Sequence, residues 1–133
     1  PGDVVGDYIM GGGYFTRVLS AAVGEDGKVY AFQPNEFIAF RADYAKEQDE
    51  TVAGLANTEG VRGPGAAPPF FEPLDAIVTV QNFHDLFLAA GQAETPEKAS
   101  AALYAALKPG GALVVVDHAA LPGSGREASD KLH

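Results

Sequence analysis

The chain has 133 residues, a formal charge of −9 and no cysteine, a length that fits one domain with one core. Without cysteine there are no disulfides, no thiolate catalysis and no cysteine-type zinc site, and with no cluster of Lys and Arg a nucleic-acid groove is disfavoured, because phosphates are held by such clusters. Hydrophobic residues at 47% and charged residues at 20% give a globular balance, and no apolar run approaches the roughly 20 residues that span a bilayer.

Residues 3–10, DVVGDYIM, predict a short strand, and 11–13 a glycine loop. Behind it Phe15, Val18, Leu19, Ala22 and Val23 follow the spacing of one helix face, with Gly24 as the stop. EDGK turns into a second strand, KVYAFQ. PNEF opens a helix whose interrupted stripe, Phe37, Phe40, Tyr44, Val52 and Leu55, runs to about Asn57 and is expected in the core. Residues 60–73, GVRGPGAAPPFFEP, are rich in Gly and Pro, so no regular strand is expected there. LDAIVTVQ is apolar on both faces, which predicts a strand buried on both sides. NFHDLFLAAG begins a loop or short helix. TPEKASAALYAALKPGG predicts a helix with Thr95 as N-cap, Pro96 at the first position, and Ala99, Leu103 and Leu107 inward. ALVVVDH reads as another strand buried on both faces.

Strands alternating with helices predict an α/β domain whose mostly parallel sheet is covered on both faces. Ligands of such sheets sit at the carboxyl ends of the strands, near the point where strand order reverses. That rule marks the residues after Met10, Phe32, Val80 and Val116. No strand follows ALVVVDH, so the 112–118 edge is expected to be covered by further strands of a longer protein or by a homo-oligomer partner. The chain opens at Pro1 without an initiator Met. A cytoplasmic location is expected, or export if a leader precedes Pro1.

The glycine loop admits several readings. Gly11 and Gly13 fit the start of G-x-G-x-x-G, but the third position falls on Thr16, and Gln33 stands where an acidic residue should end the second strand. A Walker loop fails because no Gly-Lys-Ser/Thr follows. A tight turn needing positive φ is the plain alternative.

The order GDYIMGGGYFTRVLSAAVGEDGKVYAFQP, LDAIVTVQNFHDL, ALKPGGALVVVDHAALPGSG resembles the class I S-adenosylmethionine-dependent methyltransferases. More narrowly, it is similar to a group of bacterial predicted methyltransferases with GGGYFT, QN(F/Y)HD and LKPGG…DH signatures. The resemblance covers nearly the whole chain. It implies a Rossmann-like three-layer sandwich, lacking its last strands in this chain, and a single S-adenosylmethionine-binding domain over residues 1–133. By the same resemblance Asp7 matches the acidic residue ending the first strand, and Gly11 and Gly13, with Gly12 between them, match the glycines that let the backbone approach the cofactor. Ile9 stands where the family usually has a glycine, a departure expected to narrow or reshape the pocket. Gln33 stands where Asp or Glu usually holds the ribose diol; a neutral amide is the weaker partner, and Glu36 is a substitute if its loop folds back. Tyr14 and Phe32 are candidate apolar walls, and Gln81 and Asn82 are assigned to the cofactor side. The adenine loop falls within 60–73, where no residue is assigned.

His84 and Asp85 follow the fourth strand; Asp117 and His118 follow the fifth. Transfer to a hydroxyl or amine needs a base, and His suits that near neutrality. His84 is the first choice and Asp85 its orienter, with Asp117 and His118 second. Plainer roles are a helix cap for Asp85, a loop hydrogen bond for His118, and a core position for Phe15. His84, Asp85, Asp117, His118 and His133 would make a metal site if they converged, but no H-x-x-x-H spacing supports one and no metal is expected. The expected activity is methyl transfer from S-adenosylmethionine to an unidentified small-molecule acceptor, with no nucleic-acid or membrane partner. The alternatives are an inactive cofactor-binding module, suggested by Ile9 and Gln33, and a nucleotide-dependent oxidoreductase, disfavoured by Thr16.

Overall fold

The computed structural model describes residues 1–88 and 94–131. Along them run β1 (Val4–Tyr8), α1 (Tyr14–Val23), β2 (Lys28–Pro34), α2 (Asn35–Phe40), α3 (Asp43–Ala53), β3 (Thr58–Gly63), β4 (Leu74–Val80), α4 (Thr95–Ala106) and β5 (Leu107–Val116), with 3-10 turns at Phe83–Phe87 and Arg126–Lys131. The sheet order is β3-β2-β1-β4-β5, and every neighbouring pair is parallel. The α/β expectation therefore holds, with an all-parallel sheet.

Alternation along β1 and β2 splits the core into two layers. Val5 and Val29 meet Leu19 and Val23 of α1 on one face. Tyr8, Tyr30 and Phe32 join Leu74, Ile77, Leu86, Ala99 and Leu103 on the other. Each fully buried side chain of this size stabilises the fold by about 1.5–3 kcal/mol. Gly6 lets the sheet pack tightly, since a Cβ there would stand 3.0 Å from Leu74 and 3.1 Å from Phe70.

Several sequence expectations are corrected. Thr58–Gly63 is a strand, paired with β2 alone at the sheet edge, and the irregular stretch starts only at Pro64. Gln48 supports this strand by donating its amide to Ala31 O at 2.8 Å and Val61 O at 3.0 Å. The 35–57 helix is broken at Arg41, whose backbone is extended. Gln48 and Thr51 are its buried positions, and Phe40 is 89% exposed rather than in the core. On α1 the buried face is Thr16, Ser20 and Val23. Two hydroxyls turn that helix: Thr16 donates to Asp7, and Ser20 to Asn57, both at 2.5 Å. Val18 is left exposed as a result.

In α4, Glu94 is the cap and Thr95 the first helical residue, while Leu107 already belongs to β5. Ala99 and Leu103 face inward as read. β5 is not buried on both faces. Leu113, Val114, Val115 and Val116 are 36–52% exposed, because among the described residues β5 is the other sheet edge, hydrogen-bonded to β4 alone. No helix among the described residues is long and apolar enough to cross a membrane. His133 and the end of NFHDLFLAAG lie outside the described residues.

Candidate functional site

From β1 the chain runs outward through β2 to β3, then returns to place β4 on the other side of β1. The switch point, where ligands of parallel sheets gather, is thus the crevice at the carboxyl ends of β1 and β4. Two residues flank it: Ile9 (φ 66) and Gln81 (φ 59), the only non-glycine residues with positive φ among those described. Such conformations cost on the order of 1–3 kcal/mol and concentrate at functional sites. Ile9 keeps the backbone of a glycine while its side chain, 2% exposed, packs into the core. It does not stand in the crevice, so the expected narrowing is absent.

The glycines have separate tasks. At Gly11 (φ +54) an added Cβ would meet nothing within 4 Å, so the backbone faces open space. At Gly12 the nearest atom would be a Glu47 carboxylate oxygen at 3.8 Å. At Gly13 (φ +81) a Cβ would lie 2.5 Å from Thr51 Oγ1. Gly13 therefore packs α1 against α3, and the open approach belongs to Gly11.

Gln33 ends β2 beside this loop. Its Oε1 accepts from Gly11 N–H at 3.2 Å, whereas Nε2 is buried without a hydrogen-bond partner among the described residues. The amide cannot be turned around, because its nitrogen would then face the Gly11 donor. Glu36 does not replace it: both carboxylate oxygens accept from Gly65 N–H, at 3.0 and 3.2 Å. Tyr8 donates to Gly65 O at 2.6 Å, so the segment after β3 is tied down by both residues. Phe32, fully buried and stacked on Tyr8, is a core residue rather than a ligand wall. Tyr14 is 72% exposed and meets Phe15 edge-on.

Asp7 is buried and accepts from the Thr16 hydroxyl. Burial pushes its carboxyl up to about 6, and the Thr16 hydrogen bond only partly offsets this. Below about pH 4 both folded and unfolded chains hold this proton and the penalty is absent. As pH rises from there to about 6, the unfolded chain releases the proton first, so stability falls with rising pH. An Asp7→Asn variant should gain on the wild type across that window, the difference between them moving by about 3 kcal/mol in its favour between about pH 4 and neutral pH. Urea unfolding of both proteins at several pH values checks this; a difference independent of pH would contradict it.

Across the switch point, Asn82 donates both amide hydrogens, to Ile9 O at 3.1 Å and Val80 O at 2.8 Å. Gln81, at the surface, donates its N–H to Val116 O at 2.7 Å. Three residues beyond Gln81, His84 Nδ1 lies 2.7 Å from Asp117 Oδ1, and His84 N–H donates to Asp117 Oδ2 at 2.8 Å. Asp85 Oδ1 is 3.5 Å from the other ring nitrogen, Nε2. The orienting carboxylate is therefore Asp117 rather than Asp85. For Asp117, burial raises the carboxyl, but hydrogen bonds from His118 N–H and from the His84 ring and backbone outweigh it and hold it below the usual range. His118 packs its ring edge-on against His84, with centroids 5.6 Å apart.

Phe83, His84, Phe87, Asp117, His118 and Arg126 line a cavity of about 350 Å³. A larger hollow of about 930 Å³ lies at the opposite end, by the start of β2 and β3. The strand-end rule favours the smaller one, which holds the chemistry. Among the described residues no three His, Cys, Asp or Glu side chains converge as metal donors; His133 lies outside them. Sequence reading passed over Asp117 as first partner and Thr16 as a buried donor. The β4–β5 register, Val80 beside Val116, was the available signal for the first.

No protein-family model matches the chain, and no curated protein matches it in sequence. Solved structures do. A SAM-dependent methyltransferase from Aquifex aeolicus is 28% identical, with a TM-score of 0.67 over 96% of this chain and 64% of its own. A protein-L-isoaspartate O-methyltransferase is also 28% identical, at 0.56 over 86% of this chain and 32% of its own. A SAM-dependent O-methyltransferase from Thermotoga maritima, 24% identical, gives 0.63 over 98% and 42% and shows the fold alone. This chain thus spans 64% of the first neighbour's length and less than half of the other two. Its fold is that of the class I methyltransferases.

Proposed function

We propose that this chain is the S-adenosylmethionine-binding part of a methyltransferase acting on a small molecule. The observation that carries the reading is the open backbone at Gly11 beside the Gln33 amide nitrogen, which lacks a partner among the described residues, at the switch point of the sheet. A buried N–H without a partner costs roughly 1–3 kcal/mol, and a ligand acceptor removes that cost. The loop carries no lysine, which suits a cofactor without phosphates. Gly11 would give close approach, Gln33 Nε2 would donate to a ribose hydroxyl oxygen, and Asp7 would supply negative charge for a cationic donor. The expected strength at the ribose is below that of a carboxylate accepting from both hydroxyls.

S-adenosylmethionine, when bound, would supply an electrophilic methyl group, with the neutral thioether as leaving group, for transfer to an acceptor's lone pair. The chain's own part is placement and proton removal. Asp117 accepts from Nδ1–H of His84, which makes Nε2 the ring nitrogen to take the acceptor's proton. Holding the reactants aligned can contribute about 7–11 kcal/mol in favourable cases. The cavity beside His84, about 350 Å³, and the net charge of −9 favour a small acceptor over a nucleic acid. A binding module without turnover is the second reading, favoured by Asp85, 3.5 Å from the same Nε2.

Titration calorimetry with S-adenosylmethionine and with its demethylated product, each against NAD, tests the binding half. Heat with the first two and none with NAD is expected. No heat with either methyl-cycle ligand from folded protein would sink the proposal.

A further inference from the structure

The geometry points to Asn82 as a positioning residue: its side-chain amide staples the switch point and holds Ile9 in the left-handed backbone that aims the glycine loop at its ligand. The inference rests on the S-adenosylmethionine reading for its ligand, but its structural half stands without it. A β-branched residue at φ 66 is an uncommon outlier, and such backbone persists only where the surroundings over-determine it.

The surroundings here are few and specific. Asn82 donates one N–H to Ile9 O and the other to Val80 O, so a single side chain bridges the ends of β1 and β4. The chain that follows Ile9 depends on the same turn: Met10 N–H donates to Phe32 O at 2.9 Å, and Gly13 N–H to Met10 O at 2.9 Å. If Ile9 relaxed to negative φ, Met10 would lose its bond to β2, and Gly11 N–H would move off Gln33 Oε1. A glycine at position 9 needs no such restraint, because it adopts either sign of φ freely. Asn82 thus does for isoleucine what glycine would do for itself.

This gives a coupling that a direct ligand contact would not. Asn82→Ala should weaken S-adenosylmethionine binding about tenfold or more in the natural chain, the scale of the strain it restrains. In the Ile9→Gly background the same change should cost less than about threefold, since no left-handed isoleucine is left to restrain. Asn82→Asp should be worse than Asn82→Ala, because its oxygens would face two carbonyl oxygens. Equal losses from Asn82→Ala in both backgrounds would overturn the inference and make Asn82 a direct ligand contact.

Urea unfolding of the same four proteins gives a readout free of ligand. Asn82→Ala should lower the unfolding midpoint less in the natural chain than in the Ile9→Gly background, because a left-handed Ile9 that relaxes recovers part of the lost stability, whereas glycine has no strain to release. If the natural chain binds no S-adenosylmethionine, the functional reading fails, while this stability coupling still decides the staple. Should Asn82→Ala fail to fold, Asn82→Ser, which retains one donor, takes its place in both backgrounds; equal effects of it in both would again overturn the proposal.

Discussion

A His84→Ala variant is expected to bind S-adenosylmethionine as the natural chain does and to lose about 10²–10⁴-fold in turnover, the usual contribution of a positioned general base. The expectation follows from how the imidazole is held. Asp117 fixes Nδ1 at 2.7 Å and is itself fixed by the backbone N–H groups of His84 and His118, so the ring has one orientation and one reacting nitrogen. The ring is held by Asp117 and packs on His118, while Gly11 is held by Gln33, so binding should survive. Asp117→Asn should move turnover in the same direction, because an amide can present its N–H to Nδ1 and favour the wrong tautomer. Single-turnover kinetics with saturating cofactor check both variants. Undiminished turnover in His84→Ala would place the base elsewhere; lost cofactor binding would make His84 a cofactor or structural residue.

Gly11→Val is expected to abolish cofactor binding in a protein that still folds. A Cβ at Gly11 meets no protein atom within 4 Å, so the branched side chain would fill only the space through which a ligand approaches the backbone. The strain of a side chain at φ +54 adds roughly 1–2 kcal/mol, well below the stability of an ordinary domain. The contrast with Gly13 is physical: there the Cβ would collide with Thr51, and the fold itself would suffer. Calorimetry on Gly11→Val, with an unfolding curve to show the protein is folded, decides the point. Binding at natural strength would mean that the ligand lies elsewhere.

Much of the fold was legible because the signals were periodic. The apolar runs LDAIVTVQ and ALVVVDH and the punctuated helix that starts at Thr95 announce themselves, and their alternation implies parallel pairing. The errors have a common origin in side chains whose partners lie far along the chain. β3 was hidden by Gly60 and Gly63, since its support comes from Gln48, an amide on α3. The buried face of α1 was misread because Thr16 and Ser20 turn inward to hydrogen-bond Asp7 and Asn57. β5 is apolar enough for burial on both faces, yet hydropathy reports what a strand tolerates, not what lies beside it.

At the site, the departures Ile9 and Gln33 were visible in the sequence, and their consequences were not. A left-handed isoleucine whose side chain enters the core shows only in backbone angles and packing. Likewise, the nearest acidic neighbour in sequence, Asp85, was preferred over Asp117 as orienter of His84. The β4–β5 pairing brings Asp117 alongside instead, 33 residues away in the chain.

Calorimetric titration of the natural chain with S-adenosylmethionine tests the central claim most directly. One binding event, reproduced by the demethylated product and not by NAD, is predicted. A folded protein that gives no heat with either methyl-cycle ligand, or that binds NAD in their place, would contradict it.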